Sequence, residues 1–83
     1  MLQRIKVSYD RKFDMLYVKW DSTKGCYGDD SSPGLIYTRD SKSGAIKGVT
    51  LVHFVERYRE HRLPVLDENV SLDYEQLYKS ITL

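Results

Sequence analysis

The feature that most constrains this chain is a pair of alternating segments near its beginning, joined by a short connection. Ile5, Val7 and Tyr9 alternate with charged or polar residues, which is the period-two pattern of a half-buried strand. A second run follows at 14–20, where β-branched and aromatic residues dominate. Because only the connection at 10–13 separates the two runs, they predict an antiparallel pair of strands.

Two aspartates, Asp10 and Asp14, stand four residues apart at this connection. Carboxylates at that spacing could be catalytic, could hold a metal, or could shape a turn. An aspartate at the first position of a turn accepts hydrogen bonds from backbone N–H groups further along the chain. We interpret Asp10 as such a turn residue and Asp14 as the start of the returning strand. An enzymatic role would require Asp10, Asp14 and Asp40 to converge.

Two further strands are expected beyond a long polar stretch. Residues 21–33 are rich in Gly, Asp and Ser, which predicts a loop that is long for so small a chain. The next strands are expected at 34–40 and 45–52. A tight turn joins them, and Gly44 is available there for a backbone conformation with positive φ.

The last of these strands changes the parity of its apolar residues. Ile46 belongs to one parity, whereas Val49 and Leu51 belong to the other, so a regular strand cannot turn all three inward. One extra residue resets the alternation, and glycine accepts the distorted backbone most easily. The sequence therefore predicts a β-bulge at or beside Gly48.

The end of the chain has helical periodicity. A short helix is expected at 53–63, where apolar residues fall at helical spacing and Pro64 stops the segment. A longer helix follows, with Ser71 available as its cap and Asp73 suited to its positive end. Its apolar stripe, spaced i, i+3, i+4 and i+7, consists of Tyr74, Leu77, Tyr78 and Ile81.

Together these patterns predict a single α+β domain spanning 1–83. It would consist of a four-stranded, mainly antiparallel sheet in meander order, followed by one short and one longer helix. A chain of 83 residues leaves no material for a second core. It also buries only roughly 60% of its unfolded surface, so a partner surface is physically attractive.

Composition and motif spacing disfavour several classes of function. Thirteen Lys and Arg against twelve Asp and Glu give a formal net charge of +1, so no global field attracts nucleic acid or an anionic membrane. Cys26 with His53 and His61 lacks the ligand spacing of a zinc site. We therefore expect no catalytic residues, no metal, no cofactor and no membrane span. The lone cysteine and the charged beginning of the chain predict a cytoplasmic protein.

The order of several residues is also typical of a known family. A Tyr-Asp pair ends a strand, a second Asp and a Leu-Tyr pair follow, and later come Pro-Gly, an acidic residue, a turn glycine and a Gly-Val-x-Leu run. Over about 3–55 the sequence thereby resembles the small prokaryotic family called domain of unknown function 2283. The matching residues are Tyr9, Asp10, Asp14, Leu16, Tyr17, Pro33, Gly34, Asp40, Gly44, Gly48, Val49 and Leu51.

The resemblance implies a compact antiparallel sheet with a following helix and no assigned activity. Some members of that family are encoded beside predicted toxin genes, which implies an antitoxin-like role. The polar stretch at 21–33 and the helical extension at 64–83 depart from the family pattern.

One candidate binding surface is an arginine cluster formed by Arg57, Arg59 and Arg62. Together with Tyr58 it could contact phosphates and stack on a base, which makes weak nucleic-acid binding one alternative function. Interleaved glutamates weaken its field and favour a solvated helix face.

The other candidate surface is aromatic. Apolar residues occupy both parities of the second strand, so both faces of the sheet need cover. We expect a non-enzymatic module that associates as a homodimer or larger homo-oligomer, or docks a protein partner. An antitoxin-like role is the further alternative. The candidate contact residues are Tyr17, Trp20, Tyr37, Tyr74, Leu77, Tyr78 and Ile81.

Overall fold

The structure is a computed structural model that describes residues 5–82. Its strands form one antiparallel sheet in the order β1-β2-β5-β4-β3, and its two helices follow the last strand. The predicted α+β class, with an antiparallel sheet and two C-terminal helices, is confirmed. The elements are β1 (Lys6–Asp10), β2 (Met15–Lys19), β3 (Cys26–Ser32), β4 (Leu35–Asp40), β5 (Ile46–Val52), α1 (Phe54–Arg59) and α2 (Tyr74–Thr82).

The sheet has five strands, so the prediction of four was wrong by one. The additional strand is β3, which lies within the polar stretch expected to be a loop. It pairs with β4 from Cys26 opposite Asp40 to Ser32 opposite Leu35 and forms one edge of the sheet. Most of its side chains are exposed, so β3 is defined by its pairing with β4, which includes an ion pair between Asp29 and Arg39 at 2.7 Å, and not by burial in the core. No hydrophobic alternation marks such a strand in the sequence.

The strand order also differs from the predicted meander. β5 lies between β2 and β4 and pairs with both, so β2 and β4 are not neighbours. The reason is packing: Leu51 of β5 stands opposite Leu16 on one side and Leu35 on the other. All three leucine side chains are buried. β5 thus takes the central position, where both of its neighbours add buried apolar residues to the core.

The core lies on one face of the sheet, between the central strands and the helical part of the chain. Residues of β2, β4 and β5 contribute one side, and α1 and the segment before α2 contribute the other. The buried side chains are Leu16, Val18, Leu35, Tyr37, Val49, Leu51, Phe54 and Val70.

The helix α2 covers the same face and begins at a different cap from the one predicted. The Oδ1 atom of Asp73 accepts the backbone N–H of Gln76 at 3.1 Å, so Asp73 rather than Ser71 caps the helix. Tyr58 of α1 and Tyr78 of α2 stack with ring centroids 4.2 Å apart. The stripe that packs against the core consists of Tyr74, Leu77, Tyr78 and Ile81.

The pairing of β4 with β5 is irregular beside Gly48. Thr38 stands opposite Gly48, but Arg39 stands opposite Ile46, so Lys47 is an extra residue on β5. The φ of Gly48 is not positive. Glycine is needed here because of a close approach: an added Cβ would lie 2.8 Å from the carbonyl oxygen of Val18.

This crowding predicts the effect of a Gly48→Ala substitution. The new Cβ would press on the backbone of β2, which cannot shift without disturbing the core. We expect the free energy of unfolding, measured by urea denaturation, to fall by about 1–3 kcal/mol.

A Gly28→Ala variant is the matched control for that measurement. Gly28 is also a strand glycine, but its added Cβ would meet only the Cγ2 atom of Ile36, at 3.4 Å. An equal loss of stability in the two variants would contradict the close-approach explanation.

Candidate functional site

Two of the aspartates considered for catalysis are turn residues. The Oδ1 atom of Asp10 accepts two backbone N–H groups of the following turn, at 3.0 and 3.3 Å. The Oδ1 atom of Asp40 does the same in the turn after β4, at 2.7 and 3.1 Å. Because β1 and β4 run in opposite directions, Asp10 and Asp40 lie at opposite ends of the sheet. They form no common site.

The third aspartate, Asp14, joins the first hairpin to the first helix. Its backbone is left-handed, with a φ of 53°, and it precedes β2. Its carboxylate accepts the backbone N–H groups of Val55 at 2.9 Å and Glu56 at 3.1 Å. The hydroxyl of Tyr9 donates to the same carboxylate at 2.7 Å. Asp14 therefore caps α1 from a distant part of the chain, and it was interpreted from the sequence only as a strand start.

The environment of Asp14 shifts two pKa values. Burial by itself raises the pKa of Asp14, but the hydrogen bonds from Val55, Tyr9 and Glu56, together with the charge of His53, outweigh it. The pKa of Asp14 consequently lies below its ordinary value of 3.8. Burial, followed by the hydrogen bond to Asp14, raises the pKa of Tyr9 to about 12. Both shifts favour a charged Asp14 and a neutral Tyr9, which is the arrangement that holds α1.

Residues 5–82 lack both the side-chain cluster of a metal site and a helix suited to span a membrane. Within residues 5–82, no group of three or more His, Cys, Asp or Glu side chains could hold a metal ion. Over the same residues, no helix is both long and apolar enough to cross a membrane.

Most of the candidate contact residues face inward. Tyr37 is buried in the core, where its hydroxyl accepts the backbone N–H of Asp67 at 2.7 Å, so it is not available at a surface. Trp20 is half-buried and donates its Nε1–H to the carbonyl of Ile46 at 3.1 Å. The apolar stripe of α2 packs on the core. Among the candidate contact residues, Tyr17 is the one whose side chain is exposed, at 42%.

The arginines of the second candidate surface do not form one open basic patch. Arg59 donates to the hydroxyl of Tyr78 at 3.1 Å, and Arg62 donates to Glu60 at 2.9 Å. The Nε atom of Arg57 is buried, and its guanidinium group packs over Gly34. Arg59 and Arg62 thus already have hydrogen-bond partners, whereas the buried Nε atom of Arg57 has none among the described residues.

The face of the sheet opposite the helices carries a different set of residues. Cross-strand partners share a face, and one row across this face runs from Ser8 through Tyr17 and Thr50 to Ile36. The next row has Lys6 opposite Lys19, which in turn stands opposite Gly48. Among residues 5–82 no helix lies over these rows, since both helices pack on the other face.

An open groove of about 600 Å³ runs over this face. It extends from the outer strand β1 across β2 and β5 to Thr38 of β4. We call the uncovered face, together with the edge of β1 that borders it, the open surface. Its groove is lined by Lys6, Val7, Ser8, Tyr17, Val18, Lys19, Thr23, Thr38, Val49 and Thr50.

The fold and the open surface define a small α+β protein with a sheet covered on one side. No family model, no curated protein and no solved structure matches the chain. The resemblance to the domain of unknown function 2283 family accordingly stays a prediction made from the residues quoted above.

The contacts of Asp14 predict a pH dependence of stability. A carboxyl group whose pKa is depressed by folding contributes stability that is present above its unfolded pKa and is lost as pH falls through the folded value. On acidification from about pH 5 to about pH 3, we expect the wild type to lose stability more steeply than Asp14→Asn. Asparagine accepts the left-handed backbone but carries no charge. Thermal unfolding at each pH measures the difference.

The control for this comparison is Asp30→Asn, which removes an exposed carboxylate from the edge strand β3. It should keep the pH dependence of the wild type. Equal slopes for the wild type and Asp14→Asn would show that the carboxylate of Asp14 does not stabilise α1.

Proposed function

We propose that this protein is a non-enzymatic interaction module that associates with a second copy of itself through the open surface. The observation that supports the proposal is the one-sided cover of the sheet. Both helices and the segment between them pack on one face. The other face presents an exposed Tyr17 beside a broad groove.

The composition of the open surface suits a protein contact. Tyrosine is enriched at interfaces because its ring packs while its hydroxyl finds a hydrogen-bond partner. The threonines Thr38 and Thr50 and the backbone of the outer strand add groups that can pair with a partner. A chain of this size has a small core, so burial of part of this surface would add to its stability.

A second copy is the leading partner. Closed two-fold dimers are the commonest solution for proteins that self-associate, since one surface then serves both subunits. A net charge of +1 imposes little repulsion between copies. Other protein partners, including a toxin in an antitoxin-like role, remain alternatives that rest on the family resemblance. Nucleic-acid binding through Arg57, Arg59 and Arg62 has less support, because these side chains already have the contacts described above.

The proposal predicts a dimer in solution. Light scattering on a size-exclusion column, over loading concentrations from about 1 to 100 µM, should give twice the chain mass of 9.7 kDa at the upper end. The ultraviolet spectrum of the peak checks that no nucleic acid accompanies the protein. A mass that stays at one chain over the whole range would contradict self-association and leave a different protein as the partner to be sought.

A further inference from the structure

The edge strand β1 indicates how two copies would join. We propose that β1 pairs antiparallel with β1 of a second copy about a two-fold axis at Ser8, so that two five-stranded sheets become one continuous sheet. This inference rests on the proposed self-association and specifies its contact.

The two edges of the sheet differ in how well they are protected. β3 has a register shift between Asp30 and Ser32, carries two adjacent aspartates, and is followed by Pro33. Bulges, charges and proline are devices by which natural sheets prevent pairing at an edge. β1 pairs regularly with β2 at all five of its positions and contains no proline. Within residues 5–82, no strand lies against its outer side.

The backbone of β1 has hydrogen-bonding groups directed outward. Antiparallel strands alternate between residues that bond to one neighbour and residues that bond to the other. The bonds from Val52 N–H to the Gly34 carbonyl and from Trp20 N–H to the Lys47 carbonyl set this alternation for β5 and β2. The alternate residues of β2, including Tyr17, therefore bond to β1, and Tyr17 stands opposite Ser8. The neighbours of Ser8 in β1, Val7 and Tyr9, consequently direct their backbone N–H and C=O groups away from the sheet.

This alternation restricts the register of a symmetric pair. Residues whose backbone groups point away from their own sheet must stand opposite the same kind of residue in the partner, because only these residues can bond across the contact. A two-fold axis that passes through Val7, Ser8 or Tyr9 meets this condition. Ser8 is the middle residue of β1, so only an axis at Ser8 pairs all five positions of the strand. In that register Val7 stands opposite the partner's Tyr9, and both form backbone hydrogen bonds.

Charge complementarity favours the same register. With the axis at Ser8, Lys6 stands opposite the partner's Asp10, and the two-fold axis repeats the pair. Lys6 already stands opposite Lys19 of its own chain, and like charges in that position are unfavourable. The partner's carboxylate would lie on the other side of Lys6 and offset this repulsion. Asp10 needs only its Oδ1 atom for the turn, which leaves its second oxygen free.

The pairing also covers apolar surface at the edge. Val7 is 42% exposed and Ile5 is 58% exposed, although both have β-branched apolar side chains. The two-fold axis at Ser8 is perpendicular to the sheet, so the open faces of the two copies lie on the same side. The result would be a ten-stranded sheet, twice the five strands of one copy. The copies would join at the β1 edge of the open surface, and Tyr17 and the groove of each copy would lie on one shared face.

A disulfide across the axis tests the register directly. In this pairing the two Ser8 residues form a non-hydrogen-bonded pair with Cα atoms about 4.5 Å apart, within the range that a disulfide spans. Ser8 is exposed, so Ser8→Cys should not disturb the fold. In a Cys26→Ser background, we expect Ser8→Cys to give a covalent dimer on mild oxidation, seen on a non-reducing gel.

Lys6→Cys in the same background is the matched control. The two introduced thiols would be four residues out of register, about 13 Å apart, and should not cross-link. Equal cross-linking of both variants, or none for Ser8→Cys in a protein that is dimeric by light scattering, would overturn the register.

A charge reversal tests the pairing without a covalent bond. In Lys6→Glu, the introduced glutamate of each copy stands opposite the partner's Asp10, so two pairs of like charges repel across the contact. We expect the dimer dissociation constant, measured by sedimentation equilibrium, to rise about tenfold or more. Adding Asp10→Asn removes the repulsion, while the asparagine side-chain oxygen still serves the turn, and should recover most of the affinity. Lys19→Glu makes the same charge change one strand away from the edge and should not weaken the dimer.

The outcomes separate this inference from the proposed function. A wild type that stays monomeric overturns both self-association and the pairing of β1. If the wild type is dimeric but Lys6→Glu and Lys19→Glu change the dimer dissociation constant to the same extent, or neither changes it, only the pairing of β1 is overturned. Self-association would then involve another part of the open surface. Thermal unfolding of each variant confirms that its affinity is measured on folded protein.

Discussion

The packing of the helical part of the chain on a row of three leucines is the interaction on which the rest of the structure depends. Leu16, Leu51 and Leu35 stand side by side across the three central strands, and all are buried. Phe54, which follows the sheet directly, is buried in the same cluster and contacts Tyr74 of α2 with ring centroids 6.2 Å apart. The apolar residues of the chain are thus concentrated on one face of the sheet.

A single carboxylate caps α1 on that face. Asp14 binds two backbone N–H groups at the beginning of α1 and the hydroxyl of Tyr9, so it ties the first hairpin to the helix. The helix has only six residues and would not be stable alone. An aspartate that could be read from the sequence as catalytic therefore stabilises the contact between helix and sheet.

The concentration of apolar residues on one face leaves the other face with mixed chemistry. It carries an aromatic ring, hydroxyl groups and two lysines around a groove, and it continues to the regular edge of β1. The opposite edge has a register shift and carboxylates. This asymmetry between the faces and between the edges is what makes a self-paired β1 a specific expectation.

Features that depend on neighbouring residues could be predicted from the sequence. The alternation around Tyr9 and the helical stripe of α2 are local patterns, because strand and helix periodicity repeat within a few residues. The turn role of Asp10 is local for the same reason, since its partners lie two and three residues away.

Features that depend on distant residues could not be predicted in this way, because they arise from tertiary contacts. The strand β3 has no apolar alternation and exists through its pairing with β4. The central position of β5, the burial of Tyr37 and the capping of α1 by Asp14 all require contacts between separated parts of the chain. Asp14 and Val55 are 41 residues apart, and no local pattern connects them. Such contacts form only when the whole sheet is assembled, because burial and backbone pairing then outweigh local preference.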